Sequence, residues 1–242
     1  MNRNKYAYVW VSLIVLVFGI IFIPRIVDRI KSGKVVQNDR LSGPDNSGAL
    51  AYLEIDGKRR KVPSFAFIDQ DSLLITDKDY LGKVYIVEFF FTSCPTICPL
   101  MNKNLVDIQN EFKDLEDFGV ASFTIDPEHD TPTVLKKYAE DNGITDMDWH
   151  LLTGDREAIY DLANIGFNLL ATQVPDAPGG FEHSGMFALV DKRGYIRCRL
   201  DPYGNPKIYY KGAISEADGK NDIGEHQDIT ILKEDIRKLL KE

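Results

Sequence analysis

The sequence predicts an α/β sandwich, a central β-sheet flanked by helices, preceded by an N-terminal transmembrane helix. Three observations predict it. From residue 52 onward, strand-like and helix-like segments alternate and then close on a hairpin and a helix, the order of a layered α/β domain. Residues 84–91 (VYIVEFFF) form a nearly continuous apolar, β-branched and aromatic run, which suits a central strand covered on both faces. Residues 6–23 (YAYVWVSLIVLVFGIIFI) carry no charge and are long enough, at about 1.5 Å per residue, to be a candidate span of a ~30 Å hydrocarbon core.

The N-terminal elements come first. Tyr6, Tyr8 and Trp10 sit near one end of the apolar stretch, where interfacial aromatics are favoured. A cleaved signal peptide wants a shorter run followed by small residues; this run ends in Ile23-Pro24-Arg25-Ile26-Val27. The expected organisation is a flank at 1–5, a transmembrane anchor at 6–24, a polar linker at 25–51 containing Ser42-Gly43-Pro44-Asp45-Asn46-Ser47-Gly48, and one domain at 52–242. Arg3 and Lys5 precede the anchor, while Arg25, Arg29, Lys31 and Lys34 follow it. A bare Lys/Arg count therefore places the body in the cytoplasm.

Within the body, residues 65–68 and 73–75 predict short strands around the turn Asp69-Gln70-Asp71. The central strand 84–91 leads into Thr92-Ser93-Cys94-Pro95-Thr96-Ile97-Cys98-Pro99, then a helix with an apolar face of Leu100, Leu105, Ile108 and Phe112. Residues 119–125 predict the next strand. Thr131 caps another helix, with Pro132 at its first position. Leu151-Leu152 predicts a short strand and 155–163 a helix. Residues 186–190 and 195–200 flank Asp191-Lys192-Arg193-Gly194 as a β-hairpin. Residues 201–226, rich in Gly, Pro, Asn and Asp, predict an insertion or long loop, and 228–240 a closing amphipathic helix.

Composition narrows the function classes. The 242 residues are 44% hydrophobic with a net charge of −8, which excludes collagen, low-complexity disorder and a polytopic membrane protein. Residues 1–34 hold six basic side chains and one acid, leaving residues 35–242 at −13. So acidic a body argues against a nucleic-acid partner, which needs clustered Lys and Arg. Three cysteines are too few for a disulfide scaffold, and no Cys/His array has zinc-finger spacing.

The chemistry concentrates at Cys94 and Cys98. They follow a buried strand and enter a helix, and an i, i+4 spacing puts both sulfurs on one face about one turn apart. Such a pair can chelate one soft ion or close a disulfide. A helix N-terminus favours thiolate, and sulfur donors favour Cu(I), zinc or iron–sulfur centres over hard cations. Cys198 alternates with Ile196 and Leu200, opposite Arg197 and Arg199, and is assigned to the core. Of the four histidines, His183 stands in Gly179-Gly180-Phe181-Glu182-His183-Ser184-Gly185, where a Gly-rich approach can carry it over the sheet edge. His129 and His226 are expected at the surface and His150, beside Trp149, half-buried. Met101 and Met186 are expected to pack.

Three ordered landmarks then give a resemblance. Cys94-Pro95-Thr96-Ile97-Cys98-Pro99, Asp126-Pro127-Glu128-His129-Asp130-Thr131-Pro132 and His183-Ser184, together with Leu152-Thr153-Gly154, resemble the Sco/SenC family over about residues 65–200 and the last helix. Residues 201–226 do not map onto that pattern. The resemblance implies a thioredoxin-like fold with a central mixed β-sheet, tethered to the membrane and engaged in cytochrome c oxidase assembly. It implies one copper ion, Cu(I) or Cu(II), held by Cys94, Cys98 and His183. It implies a domain on the extracytoplasmic (periplasmic) side of the inner membrane, which overrides the Lys/Arg count.

The expected function is a metallochaperone that passes copper by ligand exchange to the binuclear copper centre of an oxidase subunit, with an upstream copper donor or thiol reductant as a further partner. The alternatives are a thiol–disulfide reductase using Cys94 and Cys98 as catalytic thiols, or a redox or copper sensor. The C-x3-C spacing differs from the C-x-x-C of dedicated oxidoreductases, and three apparent ligands fall short of a closed zinc site.

Overall fold

The computed structural model describes residues 10–13, 15–20, 49–174, 176–201 and 204–242. The chain divides into two units, Met1–Pro44 and Asp45–Glu242. In the first, residues 10–13 and 15–20 are helical. The remainder of the expected anchor at 6–24, and residues 25–48 of the expected linker, lie outside the described residues. Among the described residues no helix is long and apolar enough to cross a membrane.

The second unit opens with β1 (Ala51–Tyr52), a small hairpin of β2 (Glu54–Ile55) and β3 (Lys58–Arg59), and a second hairpin of β4 (Ala66–Ile68) and β5 (Leu74–Thr76). Then come β6 (Val84–Phe90), α1 (Cys98–Phe112), β7 (Phe118–Thr124), α2 (Pro132–Asn142), β8 (Trp149–Leu152) and α3 (Arg156–Asp161), which runs into a π-helical turn at Leu162–Phe167. A separate hairpin of β9 (Ala171–Gln173) and β10 (Phe181–His183) precedes β11 (Met186–Val190), β12 (Ile196–Leu200), β13 (Pro206–Lys207), β14 (Tyr209–Lys211) and α4 (Ile229–Leu240).

The main sheet runs β1-β12-β11-β6-β7-β8, with β6, β7 and β8 parallel and β11 and β12 antiparallel to their neighbours. It is therefore mixed, as expected. Every residue of β6 and of β7 is buried. One face of β6 places Phe90 against Tyr138 of α2. The other places Phe89 against Phe123 and Phe167, and Phe123 in turn meets Phe65 and Phe67. Such ring pairs each contribute about 1 kcal/mol beyond area burial, so the central strand is fixed from both sides.

Helix starts follow the sequence signals. The Thr131 hydroxyl accepts from the Val134 N–H and Pro132 occupies the first turn; the Asp155 carboxylate accepts from the Ala158 N–H at 2.9 Å. Four expectations change. Leu100 is 49% exposed; the buried stripe of α1 is Met101, Leu105, Ile108 and Phe112, because position 100 lies one helical step, about 100°, off the i, i+4, i+7 row. Residues 201–226 are not all loop, since β14 pairs with β11 and buries Tyr210. Leu50 is buried and Ala51 pairs with Cys198, so the sheet begins within the expected linker. Arg197, expected on a polar face, is 2% exposed and is held by Asp191, Glu242 and the Leu50 carbonyl. Cys198 and Met101 are fully buried, His150 is part-buried against Asp69, and His226 is exposed.

The acid inside the apolar run is Glu88. It is buried beneath the helices, accepts a 2.7 Å bond from the Ser122 hydroxyl, and Ser122 accepts in turn from the Trp149 indole N–H. Burial pushes its carboxyl up to about 7, against an ordinary value near 4.5. The folded chain thus keeps a proton that the unfolded chain has released, so stability falls as pH rises from about 4.5 to 7 and levels off above, a loss of about 3 kcal/mol from this group. Glu88→Gln preserves the acceptor and removes the ionisation. In chemical denaturation, its stability relative to wild type should grow with pH across that window and stay constant outside it.

Candidate metal centre

Parallel strands deliver their following loops to one edge of a sheet, the usual place for a site in α/β proteins. Here β6 ends at Phe90, and residues 91–97 lead into α1. β11 runs the opposite way, with Ala188 level with Val87, so its start lies at the edge where β6 ends. His183, three residues before β11, therefore arrives above the cysteine loop. Two glycines make that approach possible. A Cβ on Gly179 (φ +80°) would stand 2.7 Å from the Phe91 ring, and one on Gly185 (φ +63°) 3.0 Å from Ile97 Cδ1.

The structure brings Cys94, Cys98 and His183 together. Their donor atoms all lie within 4.8 Å of one another, and Cys98 Sγ is 3.1 Å from His183 Nε2. Neither sulfur is in a disulfide. Cys94 is 7% exposed and Cys98 2%. Cys198 and the other histidines are not part of this group. The Cys94 N–H donates to the Phe91 carbonyl at 3.2 Å, and the Phe91 backbone amide bears electrostatically on the Cys98 sulfur. The Phe91 ring packs edge-on against His183 at 5.9 Å and against Phe181 at 5.3 Å.

The two thiols are electrostatically unequal. The Cys98 thiol donates to Cys94, and His183 and the Thr96 and Cys98 backbone N–H groups add to it, lowering Cys94 to about 3. Cys98 moves far the other way, because it supplies that proton and is desolvated. The unpartnered end of α1 reinforces the asymmetry: it has no side-chain cap and no acid in its first turn, so its positive end is available to the anionic sulfur. At neutral pH the pair is one thiolate and one thiol. Cys198, by contrast, is pushed up to about 11 by burial and stays inert.

Three features escaped the motif reading. Glu88 bears electrostatically on Cys98; its signal was one carboxylate in an apolar run. Phe91 organises all three donors, which no residue type announces. Asp130 lay within a landmark, but its link to the cysteine loop runs through Thr92, 38 residues away in sequence.

The family model described as SCO1/SenC matches residues 54–215. Among curated relatives, the SCO1 protein homolog of Bacillus subtilis is 32% identical over 138 residues, 56% of this chain and 71% of that protein. Among solved structures, BsSco, described as a member of the Sco family of cytochrome c oxidase assembly proteins with a disulfide switch, matches with a TM-score of 0.59 and 26% identity over 75% of this chain and 94% of that one. ScoI of Bradyrhizobium japonicum, solved with copper bound, matches with a TM-score of 0.51 and 25% identity over 60% and 92%. The chain belongs to the SCO1/SenC family, and its mixed sheet with flanking helices is the thioredoxin-like arrangement of that family.

If the Cys98 thiol is what holds Cys94 ionised, Cys98→Ala should raise the Cys94 pKa by several pH units towards an ordinary thiol. In wild type, thiolate absorbance and the alkylation rate of Cys94 should hold nearly constant down to about pH 4. In the variant both should fall as pH drops below neutrality. Superimposable profiles would contradict the shared proton.

Proposed function

We propose, from the convergence of Cys94, Cys98 and His183 in a SCO1/SenC protein, that this chain is a copper metallochaperone. It carries one copper ion per domain and passes it to the copper-accepting subunit of cytochrome c oxidase. The observation that carries the reading is that two sulfurs and an imidazole, the latter 85 residues beyond Cys98 in sequence, gather within 4.8 Å. Two thiolates suit a soft ion, and the imidazole completes a three-donor site or helps to accommodate Cu(II). Thiolates also permit transfer by stepwise ligand exchange, so that the ion is never free. The copper of ScoI and the oxidase-assembly description of BsSco support the same cargo and the same partner.

A second reading has its own observation, the unequal thiols. As a thiol–disulfide reductase, the Cys94 thiolate would attack a disulfide of the acceptor subunit and release one of its sulfurs. Cys98 would then attack the mixed disulfide, leaving the acceptor with two thiols and this chain with a Cys94–Cys98 disulfide, which a reduced dithiol partner would restore. The two roles use the same sulfurs and can alternate. The reading also includes a single-pass anchor at residues 6–24, supported by the length and apolarity of that stretch, which holds residues 52–242 on the extracytoplasmic side of the inner membrane, the side that the family resemblance implies against the Lys/Arg count.

His183→Ala separates the roles. It should weaken Cu(II) binding by more than about 100-fold, beyond the usual cost of losing an outer-shell contact, while disulfide exchange with a model substrate slows far less. Equal losses, or none, would remove copper from the proposal. Topology has its own test. Protease added to cells stripped of their outer barrier should digest the body; a protected body would place it in the cytoplasm.

A further inference from the structure

Asp130 is fully buried, and its carboxylate is saturated by four donors. Oδ2 accepts from the Thr92 N–H at 3.0 Å and from the Thr124 hydroxyl at 2.5 Å. Oδ1 accepts from the Thr92 hydroxyl and from His129 Nδ1 at 2.8 Å. No Lys or Arg pairs with it among the described residues, and His129, its one basic partner, has a side chain 56% exposed. A buried anion is tolerated only when such bonds replace its lost hydration. Its place ahead of the N-cap of α2 adds the favourable end of that helix.

Two of those four donors come from one residue, and that residue occupies a corner. The Cys94 N–H bonds to the Phe91 carbonyl, closing a turn whose central residues are Thr92 and Ser93. Ser93 is exposed. Thr92 presents its N–H and its hydroxyl to Asp130, so the corner that turns the chain from β6 towards Cys94 is pinned to the loop after β7. The Thr124 bond ties the same carboxylate to the end of β7 itself.

We propose that Asp130 is a positioning residue of the metal centre, setting the location of the Cys94 sulfur through its paired bonds to Thr92. It touches neither cysteine sulfur nor the His183 imidazole. The inference deepens the copper reading, but it concerns this chain's own geometry and is testable on metal-free protein.

The test uses the full chain and two readouts: Cu(I) affinity by competition with a chromogenic chelator, and the alkylation rate of Cys94 in the metal-free protein. Asp130→Asn and Thr92→Val should each weaken Cu(I) binding by about 10-fold to 100-fold, the range for lost outer-shell contacts, and each should shift the Cys94 alkylation rate in the same direction. The double variant should be no worse than the more severe single, because both remove one coupling. Thr92→Ser, which keeps both bonds, should match wild type. Asp69→Asn is the control for destabilisation alone, since Asp69 is an equally buried carboxylate holding the Asp71 and Leu73 amides and His150.

If Asp130→Asn does not fold, Thr92→Val against Thr92→Ser still decides the question. Additive losses in the double variant, an unchanged Cys94 rate in Thr92→Val, or equal effects from Asp69→Asn would overturn the proposal. A wild-type chain that binds no Cu(I) would sink the copper reading while leaving the alkylation arm to judge Asp130.

Discussion

The site depends on where one strand stops. β6 is buried along its whole length between β7 and β11, and the residue after it, Phe91, meets every donor. Its carbonyl holds the Cys94 amide, its own amide bears electrostatically on the Cys98 sulfur, and its ring packs against His183. Three donors distant in sequence thereby share one rigid reference. A closed-packed interior transmits displacement rather than absorbing it, so a change in the layers beneath Phe91 moves all three donors together. The close approach of Gly179 to the same ring carries the constraint to the His183 hairpin: any larger residue there would push the hairpin away from the cysteines.

Upon that frame sits a charge problem. Cys94 and Cys98 hold one proton between them in a buried place, with Glu88 near enough to bear on Cys98 and Tyr138 near enough to feel both sulfurs. The pair then carries a single negative charge. In the copper reading, Cu(I) replaces that proton between two thiolates and leaves the net charge as it was. Little new desolvation accompanies loading, and a second proton would find the site no better than the metal does. A divalent ion changes the net charge of the same volume and needs a further donor, which His183 supplies within 4.8 Å of both sulfurs. Disulfide formation removes the charge altogether. The shared proton is therefore what both chemistries displace, and it is why one pair of sulfurs can serve either.

How much of this the sequence disclosed follows from the range of the interactions involved. Cys94, Cys98 and His183 were legible because their residue types are scarce and stand in marked surroundings, and the helix starts at Thr131 and Asp155 were legible because capping is local. Leu100 was misplaced because Leu100 and Met101 are adjacent and leave the buried stripe ambiguous by one position, which only packing resolves. Arg197 looked like one member of an alternating polar face; the C-terminal Glu242 and the Leu50 carbonyl close over it, and neither is near in sequence. The thiol asymmetry needs the distance between side chains, which spacing bounds but does not give.

The segment that fitted no pattern, residues 201–226, turns out to reach the site from behind. β14 lies along the first half of β11, and just after it the Gly212 N–H donates to the Gly185 carbonyl at 3.0 Å, two residues beyond His183. The Gly212 carbonyl accepts from the Asn104 side chain at 2.8 Å, and Asn104 is buried on α1, the helix that begins at Cys98. Gly212 must be glycine to fit, since a Cβ would stand 2.7 Å from the Phe187 ring. The stretch that reads as an insertion therefore bonds the histidine arm to the cysteine helix on the side away from Phe91. The donors are held at the same sheet edge from two sides: through Phe91 after β6, and through Gly212 after β14. In the copper reading, an arm fastened from both sides has little freedom to swing the imidazole away from the ion.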